Sequence, residues 1–304
     1  MYLPPSKRLR RSELAVPGSS EKMMAKGAAS AADFVFLDLE DAVAPSAKAE
    51  ARGKVVTALN TLDWGKKTRC VRINDVETEY CYNDIIEVVE GARENLDVIM
   101  IPKVRHPRDL HFVETLLNQL ELKLKLKKRI GLEVLIEEVE GLINVEQIAR
   151  CSPRLEALIL GMGDYSASQG MDQKEIWGSK DYPGDLWHYP RYKVVIAARA
   201  AGIDAIDGPF ADFRNAAGYE IEARRGAIMG FVGKWAIHPS QIEPANKAHT
   251  PLQADVDKAR AMAAAYAKAL EQGLGSIALD GSLVDVATVR AQSGILHRAD
   301  LIGM

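Results

Sequence analysis

Hydrophobic positions along the chain follow two alternating patterns. Short aliphatic or β-branched runs, each closed by Gly, Pro or a polar residue, alternate with longer stretches whose apolar residues recur at helical spacing. The short runs occupy residues 13–16, 34–40, 68–74, 98–104, 130–137, 157–164, 204–210 and 234–239. Helical periodicity covers 47–59, 84–92, 109–122, 145–150, 192–201 and 217–229. The segments VIMIP and ALILG are apolar without alternation, as expected of parallel strands covered on both faces. Helical stretches of this length suffice as crossovers between such strands.

Eight strands in this rhythm predict an α/β fold, a (β/α)₈ TIM barrel spanning residues 1–248. A doubly wound sheet is the alternative, but it calls for a glycine-rich phosphate turn after its first strand. Here that position reads VPGSSEK, with no GxGxxG. Residues 249–304 are surplus to a barrel: helix over 251–272, a loop or short strand over 273–280, and helix again over 284–299. This C-terminal helical extension either packs on its own barrel or forms an arm over a neighbouring subunit's barrel mouth.

Charge removes several functions. Thirty-nine Lys and Arg against 42 Asp and Glu leave no basic surplus for a phosphate backbone, so no nucleic-acid partner is expected. The basic run KLKLKKR at 123–129 sits where a helix ends, which favours cations and lets them solvate. Charges interrupt every hydrophobic run well short of the ~18 residues a membrane span needs. The opening MYLPPSKRLRRSE leads into no apolar segment of signal-peptide length. Cys70, Cys81 and Cys151 form no CxxC pair, which argues against a disulfide framework or thiolate zinc site and fits the cytoplasm. The six histidines show no HExxH or i, i+4 pair, so oxygen must hold any metal.

A barrel carries its chemistry at the carboxyl ends of its strands. Those ends hold Asp38, Glu40 and Asp41, then Arg72 and Asn74, Lys103, Glu137, Asp164 and His238. A single acidic strand end is ordinarily a helix cap or a loop ion pair. Glu137 and Asp164 close neighbouring strands, however, and two carboxylates facing one space repel unless a cation separates them. Mg²⁺ suits such a pair, with Mn²⁺ able to substitute, and leaves positions for a chelating 2-oxo or 2-hydroxy acid. Arg72 can fork onto the acid's carboxylate or carbonyl oxygen, and Gly161 and Gly163 permit close approach to the backbone. Such a site suits carbon–carbon bond formation or cleavage through an enolate. Lys103 offers a competing Schiff-base route, or else contacts a phosphate or carboxylate.

The segments RSELAVPGSSEKM, DFVFLDLEDAVAPSAKAEAR, VRIND, DVIMIPKV, EVLIEEVEGLINVEQIA, LILGMGDYSAS, DGPFADF, GKWAIHPSQIEPAN and DGSLVDVATVRAQ, in this order, resemble the malyl-CoA lyase branch of the HpcH/HpaI aldolase family, also called citrate lyase β-subunit-like. The resemblance covers nearly the whole chain, and LDLEDAV, GxxDYxAS and WAIHPxQ are specific in combination. It implies a Mg²⁺-dependent (β/α)₈ barrel that cleaves or forms β-hydroxyacyl-CoA thioesters. It further implies that Glu137 and Asp164 are metal ligands and that Arg72 contacts the oxoacid and thioester. Lys26, Gly163, Asp164, Ile237 and His238 fall where the family meets substrate or CoA. Glu40 and Asp41 match carboxylates that organise Arg72 or water at the metal. Asp285, in SLVD, matches an acid/base aspartate on an arm that completes a neighbouring subunit's site, which implies a homo-oligomer, a trimer or hexamer.

The resemblance is to a reversible lyase giving glyoxylate with acetyl-CoA or propionyl-CoA from malyl-CoA or β-methylmalyl-CoA. The same scaffold admits a citramalyl-CoA lyase giving pyruvate and a malyl-CoA thioesterase, while a non-catalytic acyl-CoA-binding subunit is the alternative from another class. The sequence departs from some malyl-CoA lyases at Ala15, where an aromatic stands, and at Ser20, where an arginine stands. Glu138 replaces a frequent small hydroxyl residue, and the segment 171–187 is shorter. These departures spare the metal site and bear on the CoA grip and the acyl substrate.

Overall fold

The computed structural model describes residues 8–174, 176, 183–279 and 281–304; parts of the short segment 171–187 and the residue at 280 therefore lie outside the described residues. Contacts divide the chain into two compact units, one built on Arg10–His249 and the other on Thr250–Met304.

The first unit is a closed barrel of eight parallel strands in chain order. They are β1 Ser12–Pro17, β2 Phe34–Asp38, β3 Thr68–Arg72, β4 Val98–Ile101, β5 Gly131–Ile136, β6 Leu155–Leu160, β7 Asp204–Asp207 and β8 Gly233–Ala236. Around them run α1 Glu21–Ala28, α2 Lys48–Thr61, α3 Cys81–Ala92, α4 Pro107–Leu124, α5 Val139–Ile143, α6 Val145–Ile148, α7 Met162–Ser168, α8 His188–Ala201, α9 Ala216–Met229 and α10 Ile242–His249. All eight expected strands are present, so the TIM barrel replaces the doubly wound alternative. Helix ends follow local chemistry. The Ser20 hydroxyl accepts from the Met23 amide to start α1, and Gly202 and Gly230 end α8 and α9 at φ 74° and 111°.

The strands' period of two separates two apolar layers. Phe34, Phe36, Cys70, Val98, Met100, Leu135, Ala157, Ile159, Ile206 and Trp235 pack together inside the barrel. Their alternates Val35, Leu37, Val71, Ile99, Val134 and Leu158 join the cluster formed with the helices. Extending the inward series by one step reaches Asp38 after Phe36, Arg72 after Cys70 and Glu137 after Leu135. At the opposite end the barrel is plugged by charge. The buried Arg10 guanidinium meets Glu133 at 2.7 Å, Asp204 at 3.5 Å and Glu13 at 3.9 Å, and also pairs with Glu156. Trp235 Nε1 donates to Glu13 at 3.1 Å.

Two segments differ from the sequence reading. The sixth run stops at Leu160, and GMGD turns at Gly161 into α7, so Asp164 stands in a helix's first turn rather than at a strand end. The basic run 123–129 mostly follows α4, whose end is marked by Lys125 in the left-handed region. Three of its five charges pair within the chain: Lys123 with Glu90 at 2.6 Å, Lys128 with Asp97 at 2.5 Å and Arg129 with Glu114 at 3.2 Å.

The second unit comprises α11 Gln253–Glu271, an antiparallel hairpin of β9 Ser276–Leu279 and β10 Ser282–Asp285, and α12 Val286–Ile302. Among the described residues no helix is long and apolar enough to cross a membrane.

Candidate active site

Barrel register assembles the centre of the mouth. Asp38 and Arg72 are paired directly across β2 and β3, so both side chains point inward. Arg72 donates from Nε to Asp38 Oδ1 at 2.8 Å and from Nη2 to Oδ2 at 2.6 Å. The same two oxygens accept the amides of Glu40 at 2.9 Å and Ala42 at 3.1 Å. Phe36 and Trp235 present their rings 5.9 and 5.7 Å from the guanidinium carbon. Arg72 Nη1 also lies 2.9 Å from Glu40 Oε2, a charge contact without hydrogen-bond alignment.

Beside this pair stands Lys103, just beyond β4, with a left-handed φ of 50°. That conformation turns its amide onto Glu137 Oε1 at 2.8 Å. Its ammonium donates to Glu40 Oε1 and lies 3.4 Å from Asp41 Oδ2 and 3.9 Å from Asp164 Oδ1. Glu137 is buried against Gly161, where any Cβ would strike its carboxylate and sit 2.6 Å from its own Cβ. Glycine at 161, with a φ of −89° that any residue can adopt, is therefore required for the space the carboxylate takes rather than for the turn. Behind the mouth, Lys48 Nζ donates to the carbonyls of Leu39 and Glu40, each at 2.8 Å, and fixes the turn that bears Glu40.

The electrostatics follow from burial. Desolvation pushes the Glu137 carboxyl up to about 8, with Glu40 and Asp164 adding to the rise against Arg72 and Lys103. Burial likewise raises Glu40, although Arg72 and Lys103 draw it back. For Asp38, burial is outweighed by Arg72, which holds the carboxyl below its usual range. Arg72 and Lys103 are buried enough to disfavour charge, yet their carboxylate partners hold both protonated above their usual ranges. A protonated Lys103 is no amine nucleophile, and its partners are the protein's own carboxylates, so the Schiff-base route loses its candidate.

The structure therefore brings Arg72, Glu137, Asp164, Glu40 and Asp41 to one mouth. It adds Lys103 as their counter-charge and Asp38 as the partner of Arg72. Asp38 carried no role in the sequence reading, although its inward parity with Phe36 was available. Among the described residues no group of three His, Cys, Asp or Glu is spaced to hold a metal by itself. Gly163 is exposed beside Asp164, and Ile237 and His238 follow β8 at the surface. Ile237 donates its amide to Gln241 at 2.8 Å, and the His238 ring stacks on Phe213 with centroids 4.8 Å apart. Lys26 is exposed in the last turn of α1. Asp285 belongs to the second unit, where its Oδ1 caps α12 by accepting the Thr288 amide at 2.8 Å and hydroxyl at 2.9 Å. Glu138, the departure next to Glu137, accepts from Ser168 at 2.8 Å and pairs with Arg105 at 3.2 Å, tying the end of β5 to the end of α7.

The profile of the HpcH/HpaI aldolase/citrate lyase family matches residues 11–239. An L-malyl-CoA/β-methylmalyl-CoA lyase of Cereibacter sphaeroides is 42% identical, the match covering 98% of this chain and 97% of that protein. A malyl-CoA/β-methylmalyl-CoA/citramalyl-CoA lyase of Chloroflexus aurantiacus is 33% identical over 89% of this chain and 81% of that one. Among solved structures, the protein CitE from Mycobacterium tuberculosis, in complex with magnesium, acetoacetate and coenzyme A, superposes with a TM-score of 0.74 at 28% identity, over 97% of this chain and 100% of that one. With a closed eight-stranded barrel and this extent of similarity, the chain belongs to the HpcH/HpaI aldolase/citrate lyase family.

Proposed function

We propose that this chain is a Mg²⁺-dependent lyase that reversibly cleaves malyl-CoA or β-methylmalyl-CoA to glyoxylate and acetyl-CoA or propionyl-CoA. The observation that carries the reading is the convergence of Glu137 and Asp164 on one mouth with Arg72, in a chain 42% identical to a lyase of that name. A hard divalent ion fits these residues. The donors are all oxygen, and the Glu137 carboxylate lies in a space that only glycine at 161 leaves open. Its burial among Glu40 and Asp164 makes its negative charge costly without a cation. Glu137 and Asp164 would hold the ion, Mg²⁺ or Mn²⁺, which when bound supplies Lewis acidity to the oxo-acid carbonyl.

Arg72 binds the oxoacid end and faces the charge that develops on the thioester enolate. In cleavage, Asp285 of a neighbouring subunit, or a water it holds, takes the proton from the β-hydroxyl oxygen, which becomes the carbonyl oxygen of glyoxylate. The carbon–carbon bond breaks, its electron pair passes into the thioester enolate, and return of the proton from Asp285 or its water to the enolate carbon releases the acyl-CoA. Hydrogen bonds from Thr288 hold the Asp285 carboxyl below its usual range, so it stands as the carboxylate, the form a general base requires. Lys26, Gly163, Ile237 and His238 are placed in this reading along the path of the CoA ester, and Glu40 and Asp41 behind Arg72 and Lys103. A homo-oligomer is required for the shared site. The reading sets the enzyme in the cytoplasm, in keeping with three free cysteines.

An anaerobic panel of malyl-, β-methylmalyl- and citramalyl-CoA with Mg²⁺, following CoA species and oxoacid together, tests the proposal. Glyoxylate should appear with acetyl-CoA or propionyl-CoA and vanish on chelation. Malate and free CoA without glyoxylate would refute it.

A further inference from the structure

Asp38 has a geometry that an ordinary ion pair does not require. Both of its oxygens accept two donors each, one from the Arg72 guanidinium and one from the turn that follows β2. The carboxylate is buried, so neither oxygen is shared with bulk water. The two turn amides fix its plane, and the bidentate pairing transmits that plane to Arg72. Phe36 and Trp235 bound the guanidinium within 6 Å, which limits the alternatives open to it. Only Nη1 is left unengaged by Asp38, and that nitrogen lies beside Glu40.

From this we infer that Asp38 is a positioning residue: it holds the Arg72 guanidinium, and with it the Glu40-bearing turn, in one orientation before substrate arrives. The inference rests on the proposed reading of Arg72 as the group that meets the oxoacid and enolate. A pre-set guanidinium spends no reorganisation during reaction, so its loss falls on the chemical step more than on CoA-ester binding. The adjacent register of β2 and β3 makes the arrangement possible, because it places the two side chains opposite each other on the inner face.

The test pairs a kinetic and a spectroscopic measurement. For folded Asp38→Asn, kcat on malyl-CoA should fall about 10- to 100-fold while KM stays within about threefold. Combining Asp38→Asn with Arg72→Lys should cost little beyond Arg72→Lys alone, since the two act as a unit. In the unaltered protein, the Arg72 Nε–H resonance, assigned by its loss in Arg72→Lys, should exchange with water far more slowly than that of free arginine. In Asp38→Asn it should exchange faster. Unchanged kcat in folded Asp38→Asn overturns the inference, as does an Arg72 Nε–H that exchanges like free arginine in the unaltered protein. If Asp38→Asn does not fold, Asp38→Glu carries the same kinetic and exchange measurements, with the same two results decisive. An unaltered protein that turns over neither malyl-CoA nor β-methylmalyl-CoA defeats the functional reading, while the exchange measurement still decides whether Asp38 holds Arg72.

Discussion

Gly161 shows how a single missing Cβ shapes the site. A methyl group there would meet the Glu137 carboxylate and Cβ, and the carboxylate is hemmed by the Lys103 amide on its other oxygen. Gly161→Ala should therefore displace Glu137 and weaken Mn²⁺ binding at least tenfold by calorimetry, at an overpacking cost of about 1–3 kcal/mol. Retained affinity would separate Glu137 from the metal. The same residue carries a pH signature. With its carboxyl at about 8, the metal-free native state holds a proton that the unfolded state, at 4.5, has released. The metal-free fold thus loses stability as pH rises from about 4.5 through about 8. Metal binding has the opposite sense, because the ligand must be deprotonated. Affinity should rise about tenfold per unit up to pH 8 and level off above it. Calorimetric titrations with Mn²⁺ between pH 6 and 9 check this, and a flat profile would contradict the buried-carboxylate account.

At the scale of elements, strand periodicity was legible because a buried parallel strand must be apolar on both faces, and VIMIP and ALILG say so without structural help. The inward series 34, 36, 38 was equally present in the sequence, but Asp38 at its end reads like any strand-terminal acid until register sets it opposite Arg72. Lys103 was ambiguous for a different reason: only three-dimensional placement among Glu40, Asp41 and Asp164 decides that it is a counter-ion. The helical turn that carries Asp164 was hidden because GMGD continues the apolar run ALIL without a break. Least legible was the charged plug at the amino end, since Arg10 lies in a basic stretch that looks solvated. Its guanidinium is buried against Glu133, Glu13 and Asp204. Arg10→Met would leave those carboxylates in a closed interior, and breaking such buried pairs costs about 3–5 kcal/mol. A clear drop in the thermal midpoint should follow, with kcat retained below it because the plug and the mouth occupy opposite ends of the strands. An unchanged midpoint would mean that water reaches the plug.

For the whole molecule, the proposed reading turns on what a second unit adds to the chemistry of a complete barrel. In the proposed reading the barrel offers a carboxylate pair for a cation and an arginine for developing charge, while Lys103 is engaged by Glu40 through its ammonium and by Glu137 through its amide. Glu40 and Lys103 neutralise each other, Asp38 pairs with Arg72, and the proposed reading gives Glu137 and Asp164 to the metal. Of the carboxylates named at the mouth this leaves Asp41, which is exposed and lies 3.4 Å from the Lys103 ammonium. The proposed reading instead draws the acceptor from the second unit, where Asp285 caps α12 through the Thr288 amide and hydroxyl. If one chain's barrel works with another chain's Asp285, Arg72→Ala and Asp285→Ala proteins should each be inactive alone. Unfolded together and reassembled, they should regain activity, because mixed oligomers contain mouths with both groups intact. For a site shared by two chains mixed at equal amounts, about one quarter of the sites are whole by random assortment, which sets the expected ceiling of recovery. Verified mixed oligomers with no recovery would place the proton acceptor within the same chain, with Asp41 at the mouth as its candidate.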